Sequence, residues 1–274
     1  MNMESITIAF VGDVMIGGEF VPYAERKGFD LLTPFKNIVP FIDGSDILFI
    51  NLEGPLYEGQ DRRRDKTTVL SSNSAVISLF KKETSIRVFN LANNHIMDYL
   101  DQGLEQTLKI LSENGIHHIG AGRNIAEADR GIIVKCKNQH VAFLGYTSNE
   151  PFVGAIIASE KEAGCASFLN KDKIVLDIKR KKQNADIVCV SLHWGREHYQ
   201  FPDYELVKLA RDCVDAGADY IIGHHPHMIQ GIEEYNGSII MYSLGNFFFP
   251  PTKSIYGRSQ YQKASGKEFV VVKS

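Results

Sequence analysis

Short apolar runs, several rich in Ile and Val, alternate along this chain with segments of helical period, and most of the side chains capable of chemistry sit just after such a run. That alternation constrains the fold more than any other feature. Strands are read at residues 6–11, 47–50, 86–91, 117–120, 131–134, 141–146, 187–192, 220–222, 231–235, 238–242 and 269–272. Helices are read at 31–42, 75–82, 101–114, 171–182 and 203–216. In the last, Leu206, Val207, Leu209, Ala210, Cys213 and Val214 form one apolar stripe, and Gly217 stands where the helix should stop. Strands separated by helices predict an α/β architecture. Asn236-Gly237 is a type I′ hairpin signal, so the sheets are expected to be mixed rather than purely parallel. Residues 59–66 and 250–267 read as polar, mobile loops, and no repeat or linker divides the chain, which is read as one domain over 1–274.

The polar residues gather where the strands end. The first run leaves Asp13; the second, "ILFINLEGPL", leaves Asn51 and Glu53; the third, "VFNLANNHIMD", leaves Asn93, Asn94, His95 and Asp98. Further on, "VCVSLHWGREHY" leaves His193, Arg196 and Glu197, "YIIGHHPHMIQ" leaves His224, His225 and His227, and "MYSLGNFFF" leaves Asn246. One polar residue after a strand is ordinary turn chemistry. Several strands delivering Asp, Glu, Asn and His to one sheet edge, the place where α/β proteins bind ligands, point to a built site. Mixed oxygen and imidazole donors without a thiolate suit Mn, Fe or Zn, and there are enough of them for two adjacent ions. No GxSxG elbow, P-loop or GxGxxG cradle competes with that reading.

Composition removes other classes. A net charge of -3 and a pI near 6.3 give no field for nucleic acid. The basic run 179–183 falls at a predicted helix end, where cations complement the dipole. No stretch approaches the roughly 18 apolar residues of a membrane span, and the N-terminus lacks the pattern of a signal peptide. Four scattered cysteines without a CxxC pair read as reduced thiols, with Cys136, Cys189 and Cys213 as small buried hydrophobes. The chain is therefore read as cytoplasmic, with peripheral association with a membrane left open.

The motifs GDxM at 12–15, NLE at 51–53, NNHxxD at 93–98, HWGxE at 193–197, GADxxxGHHPHxxQGxE at 217–233 and SLGNF at 243–247 resemble, in order and spacing, the CapA-type branch of the calcineurin-like metallophosphoesterases, named for poly-γ-glutamate capsule synthesis. The resemblance implies a four-layer α/β/β/α sandwich of two mixed sheets. It implies two divalent ions: Asp13 and His227 on one, Glu53 bridging, and Asn94, His193 and His225 on the other. His95 would be the proton donor, with Asp98 holding its loop or imidazole. Asn51, Lys66, Arg196, Glu197, His224 and Asn246 form a weaker set of substrate contacts, with His224 expected at the rim or supporting a neighbour. The arginines at 62–64 are further candidates for substrate anions. Two departures from the wider superfamily stand out. Asp13-Val14-Met15 replaces DxH, so the Asp13/His227 site is expected to be the weaker one, and NLE replaces GDxxD, so the Glu53 bridge is inferred. Members often carry a membrane anchor ahead of this region and continue beyond it, so the chain is read as a compact form or one lacking a C-terminal extension.

The function so implied is that of a metal-dependent phosphoesterase-like hydrolase of capsule, poly-γ-glutamate or exopolysaccharide biosynthesis. Metal-held hydroxide would attack phosphorus while His95 protonates the leaving group. The substrate would be a phosphorylated or anionic small molecule, or a glycan or polyglutamate precursor, and the partners capsule-synthesis proteins. Two alternatives stay open: γ-glutamyl amide chemistry on the same metal site, and a non-catalytic accessory subunit of a capsule synthase complex.

Overall fold

A computed structural model describes residues 4–18, 20–42, 44–79 and 85–250, with 252–253, 259–260 and 272–273 beyond them. In chain order the strands are β1 (Ile8–Val14), β2 (Ile47–Leu52), β3 (Ile86–Asn90), β4 (His117–Ile119), β5 (Ala121–Gly122), β6 (Ile132–Cys136) and β7 (Gln139–Tyr146). They continue with β8 (Gly164–Cys165), β9 (Ile187–His193), β10 (Tyr220–His224), β11 (Ile232–Tyr235), β12 (Ser238–Met241) and β13 (Asn246–Phe248). One sheet runs β13-β1-β2-β3-β4 with every neighbour parallel, and Val272–Lys273 adds an antiparallel pairing on β1. The other runs β11-β12-β10-β9-β7-β6: its inner four strands are parallel, and an antiparallel hairpin closes each edge.

Strand periodicity sorts the side chains into layers. Ile8 and Phe10 point toward the second sheet and pack with Phe49, Phe143, Cys189, Ile222 and Met241; Phe49 stacks on Phe143 with centroids 5.6 Å apart. Their neighbours Ala9 and Val11 point the other way, onto Leu104, Leu108 and Leu111 of the helix Leu100–Glu113. Behind the second sheet, Leu144, Val190 and Ile221 meet Ile174 and Ile178 of Lys171–Lys182 and Leu209 and Cys213 of Tyr204–Asp215. Each sheet is covered on both faces, which is why β1 and β2 read as unbroken apolar runs. Three cores between four layers make the α/β/β/α sandwich that the motifs implied. The four cysteines are free and buried.

Local chemistry accounts for the differences. The helix expected at 31–42 is only a 3-10 turn at Thr33–Phe35 and a single turn at Val39–Ile42, because Pro34 and Pro40 interrupt the ladder. A helix at Phe20–Lys27 was not anticipated; Pro22 looks like a breaker but sits in the first turn, where its missing N–H costs nothing. The helix expected at 75–82 is present as Ala75–Leu79, and 80–82 lie outside the described residues. The strand expected at 269–272 lies outside them save for Val272, as does most of the 250–267 loop. Residues 59–66 form no helix or strand, yet they are fastened: the Arg63 amide donates to the Asp98 carbonyl at 2.8 Å.

Candidate metal centre

The strand registers line up a polar row across the top of each sheet. In the first, Asn246, Asp13, Asn51 and Asn90 are successive partners across β13, β1, β2 and β3; in the second, His193 on β9 faces His224 on β10. Glu53 follows β2 directly, and Asn94 and His95 lie in the turn after β3. All are buried, and they meet between the sheets above the Phe49–Phe143 layer. Asp13, Glu53 and His193 bring donor atoms mutually within 4.8 Å.

Around that group the other candidates close in. His193 Nε2 lies 2.9 Å from Asn94 Oδ1, and the rings of His193 and His225 are 4.8 Å apart. His225 Nε2 donates to the Phe152 carbonyl at 3.0 Å, which turns Nδ1 inward. His227 Nδ1 donates to Asn246 Oδ1 at 2.8 Å, leaving Nε2 3.6 Å from Glu53 Oε1. In His225 and His227 an outer partner fixes the ring and frees one nitrogen, as metal-ligating imidazoles require. His225 and His227 take left-handed backbone angles, φ 95° and 55°, rare for side chains with a Cβ and concentrated at functional sites.

The electrostatics ask for positive charge. Burial pushes the Glu53 carboxyl well above its usual range, with His227 opposing. Asp13 is also desolvated, but the imidazoles of His224 and His227 carry it well below the carboxylate range. Burial lowers His193 well below its ordinary value and takes His225 to about 4. His227 loses to burial but gains more from Glu53 and Asp13, and rises to about 10. Both Glu53 oxygens, His225 Nδ1 and both nitrogens of His224 are buried without an aligned hydrogen-bond partner among the described residues. Orphaned oxygen and imidazole donors converging on two buried carboxylates fit divalent ions.

Above the group opens a cavity of about 470 Å³ lined in part by Lys66, Asn94, His95, Phe152, Glu197 and His227. His95 Nδ1 is bound to Asp98 Oδ2 at 2.5 Å, and its Nε2 faces Glu53 Oε1 at 4.0 Å. Lys66 reaches the wall but is spent on it: Nζ donates to Asp98 Oδ1 and the Asn94 carbonyl, each at 2.8 Å. Asn51 is buried and donates to Asp13 Oδ1 at 2.8 Å, and Asn246 holds His227, so both face ligand candidates. Arg196 is not among the lining residues; its guanidinium lies over the Phe152 ring at 4.4 Å and 3.3 Å from Asp203. His224 is fully buried rather than at the rim, because it closes β10 on the inner face against Phe49. The arginines at 62–64 line a separate, larger cavity of about 870 Å³ that contains none of the ligand candidates, and Arg63 lines the 470 Å³ cavity as well.

Sequence reasoning passed over Asn90, whose Nδ2 donates to Asn51 Oδ1 at 2.9 Å. Its signal was available, a polar residue closing the strand segment "IRVF". The Phe152 carbonyl had none, since a backbone acceptor leaves no trace in side-chain chemistry.

A family model described as bacterial capsule synthesis protein PGA_cap matches residues 7–251. The chain belongs to this family. The matched span contains every PGA_cap ligand candidate above. Similar family proteins include the capsule biosynthesis protein CapA of Bacillus anthracis, 37% identical over 253 residues, 90% of this chain and 60% of that protein. The PGA biosynthesis protein CapA of Bacillus subtilis (strain 168) is 36% identical over 248 residues, 90% of this chain and 64% of that protein. The chain thus spans less than two thirds of either relative. Among solved structures, a Staphylococcus aureus protein described as a 5′-nucleotidase superposes with a TM-score of 0.52 at 16% identity, over 86% of this chain and 48% of that one. At that identity the likeness is one of fold, the calcineurin-like metallophosphoesterase fold expected from the motifs. Among the described residues of this PGA_cap chain, no helix is long and apolar enough to cross a membrane.

Proposed function

We propose that this PGA_cap chain is a divalent-metal-dependent phosphoester hydrolase acting on a phosphorylated, anionic intermediate of capsular or poly-γ-glutamate polymer synthesis. Asp13, Glu53 and His227 would hold one ion, and Glu53, Asn94, His193 and His225 the other. The observation that carries this reading is the set of orphaned donors: Glu53 offers two unpartnered oxygens and His225 an unpartnered Nδ1, beside His95 and His227, which line an open cavity. Bound ions would supply Lewis acidity for the phosphoryl group and the attacking water.

The chain's own residues supply the rest. His95 presents Nε2 on the cavity side, because Nδ1 donates to Asp98, which is itself held by Lys66 and by the Leu70 amide at 2.8 Å. Burial keeps His95 below its ordinary pKa, against the pull of Asp98, so its protonated form is a stronger acid suited to giving a proton to a leaving-group oxygen. Lys66 offsets the Asp98 charge rather than waiting for substrate. The cavity is several times larger than a phosphate group and admits the body of a small-molecule ester.

The test is direct. Purified protein is loaded with Mn or Zn, desalted, analysed for ions per chain, and assayed on aryl and alkyl phosphates. Close to two ions and turnover abolished by chelator support the reading; an inert protein that takes up no ion defeats it.

A further inference from the structure

His224 has no task in the proposed reaction, yet its surroundings are more constrained than those of a core residue. It has no exposed surface. Its ring lies over Phe49 with centroids 6.3 Å apart, and its Nδ1 is 3.1 Å from Asp13 Oδ1. Neither ring nitrogen has an aligned hydrogen-bond partner among the described residues. Each buried polar atom left so costs about 1–3 kcal/mol. A leucine at this strand end would remove the cost, so packing alone does not account for an imidazole here.

Asp13 is gripped from both sheets. Asn51 donates to Oδ1 from the neighbouring strand of its own sheet. From the opposing sheet come the His225 amide, 3.3 Å from Oδ2, and His227 Nδ1, also at 3.3 Å. The second approach to Oδ1 is that of His224. Asn51 holds the carboxylate along the sheet by a hydrogen bond, and His224 meets it across the gap between sheets by the close Nδ1–Oδ1 contact, short of an aligned hydrogen bond, where an ion would have to be met.

We propose that His224 is a positioning residue that anchors the Asp13 carboxylate across the inter-sheet layer and thereby sets how well the Asp13–Glu53–His227 site holds its ion. This rests on the reading of Asp13 as an ion ligand. Groups that orient metal ligands in this way change affinity by about 10–100-fold when lost.

Three substitutions separate aim from packing. His224→Phe keeps a ring over Phe49 and removes both nitrogens. His224→Asn places an amide near the Nδ1 position, and His224→Gln carries it out to the Nε2 position. Each protein is loaded with Mn or Zn, its ions per chain and ion affinity are measured, and it is melted with metal and with chelator. The expected result is that the Phe and Gln variants bind one of the two ions about ten-fold or more weakly, while the Asn variant keeps it and all three melt close to wild type in chelator. Should the Phe variant not fold, the Gln variant carries the comparison. Wild-type affinity for both ions in a folded Phe or Gln variant overturns the proposal while leaving the hydrolase reading intact. A loss of binding matched by an equal fall in the chelated melting temperature also overturns it, as that marks a packing role. Wild-type protein that takes up no ion overturns the hydrolase reading, and this one with it.

Discussion

His95 is fixed at one nitrogen and open at the other, and the two roles it could have differ in what a substitution does. A ligand takes its ion away when removed; a proton donor leaves the ion and slows only those esters whose leaving group needs the proton. His95→Ala should retain both ions yet lose about 10²-fold or more in turnover on an alkyl phosphate. An aryl ester with an acidic phenol should lose far less. Asn94→Ala, one residue earlier, should instead lower ion uptake and depress both substrates together. Equal impairment of His95→Ala on both esters, with ions retained, would mean that it places substrate rather than a proton. Residues of this kind were legible because their types are rare together: Asp13, Glu53, Asn94, His193 and His225 stand at strand ends where amphipathic patterning has no use for them. Direction was not legible. Nothing in "GHHPH" says that His224 turns inward onto Phe49 while His225 turns its Nε2 to a backbone carbonyl. Lys66 and Arg196 both read as cations for an anionic substrate, and only their partners, Asp98 for one and Phe152 and Asp203 for the other, show how each is engaged.

At the scale of elements, most strands and the long helices followed from periodicity, while β13, the two-residue β5 and β8, and the stretch between β1 and β2 did not. There proline decides case by case: Pro22 is tolerated inside a first turn, whereas Pro34 and Pro40 break one expected helix into two short pieces. The Asn236-Gly237 hairpin was readable because its geometry demands left-handed angles at both residues, and they are found at φ 50° and 81°. The close approach of β10 to the end of β12 was not, since it depends on two strands meeting. A Cβ on Gly223 would lie 1.9 Å from the Tyr242 carbonyl oxygen, which belongs to backbone and cannot turn aside. Gly223→Ala should therefore cost about 3 kcal/mol, shifting β10 and with it the histidines that follow. Gly237→Ala meets no atom within 4 Å and should cost only about 1 kcal/mol, through backbone strain. Denaturant midpoints of the two variants test this ordering, and ion uptake should fall in the first alone. Equal midpoints would show that the sheet yields at Gly223 without penalty.

The molecule as a whole places its candidate ligands on both sides of an interface. Asp13 and Glu53 belong to the first sheet, His193, His225 and His227 to the second, and the apolar layer below them joins the two through Phe10, Phe49, Phe143 and Ile222. An ion held by both sets would bind the folded state and not the unfolded chain, so its binding free energy adds to stability by mass action. At a free concentration 100 times Kd that contribution is about 2.7 kcal/mol, which for a chain of this size corresponds to about 5 °C in Tm. Chelation of metal-loaded protein should lower Tm by that amount, and unfolding should remain one transition, because the shared inter-sheet core couples the sheets with or without ions. His193→Ala and His225→Ala should each bind fewer ions and lose much of the metal-induced rise. Their chelated melting temperatures should fall by less than that rise, since each removes an imidazole from the polar group between the sheets and no large apolar group from a core. A wild-type Tm indifferent to chelator, or a full ion count in both variants, would mean that the converging donors hold no ion between the sheets. A chelated protein that melts in two steps would instead show that the ions, and not the Phe49–Phe143 layer, join the two halves.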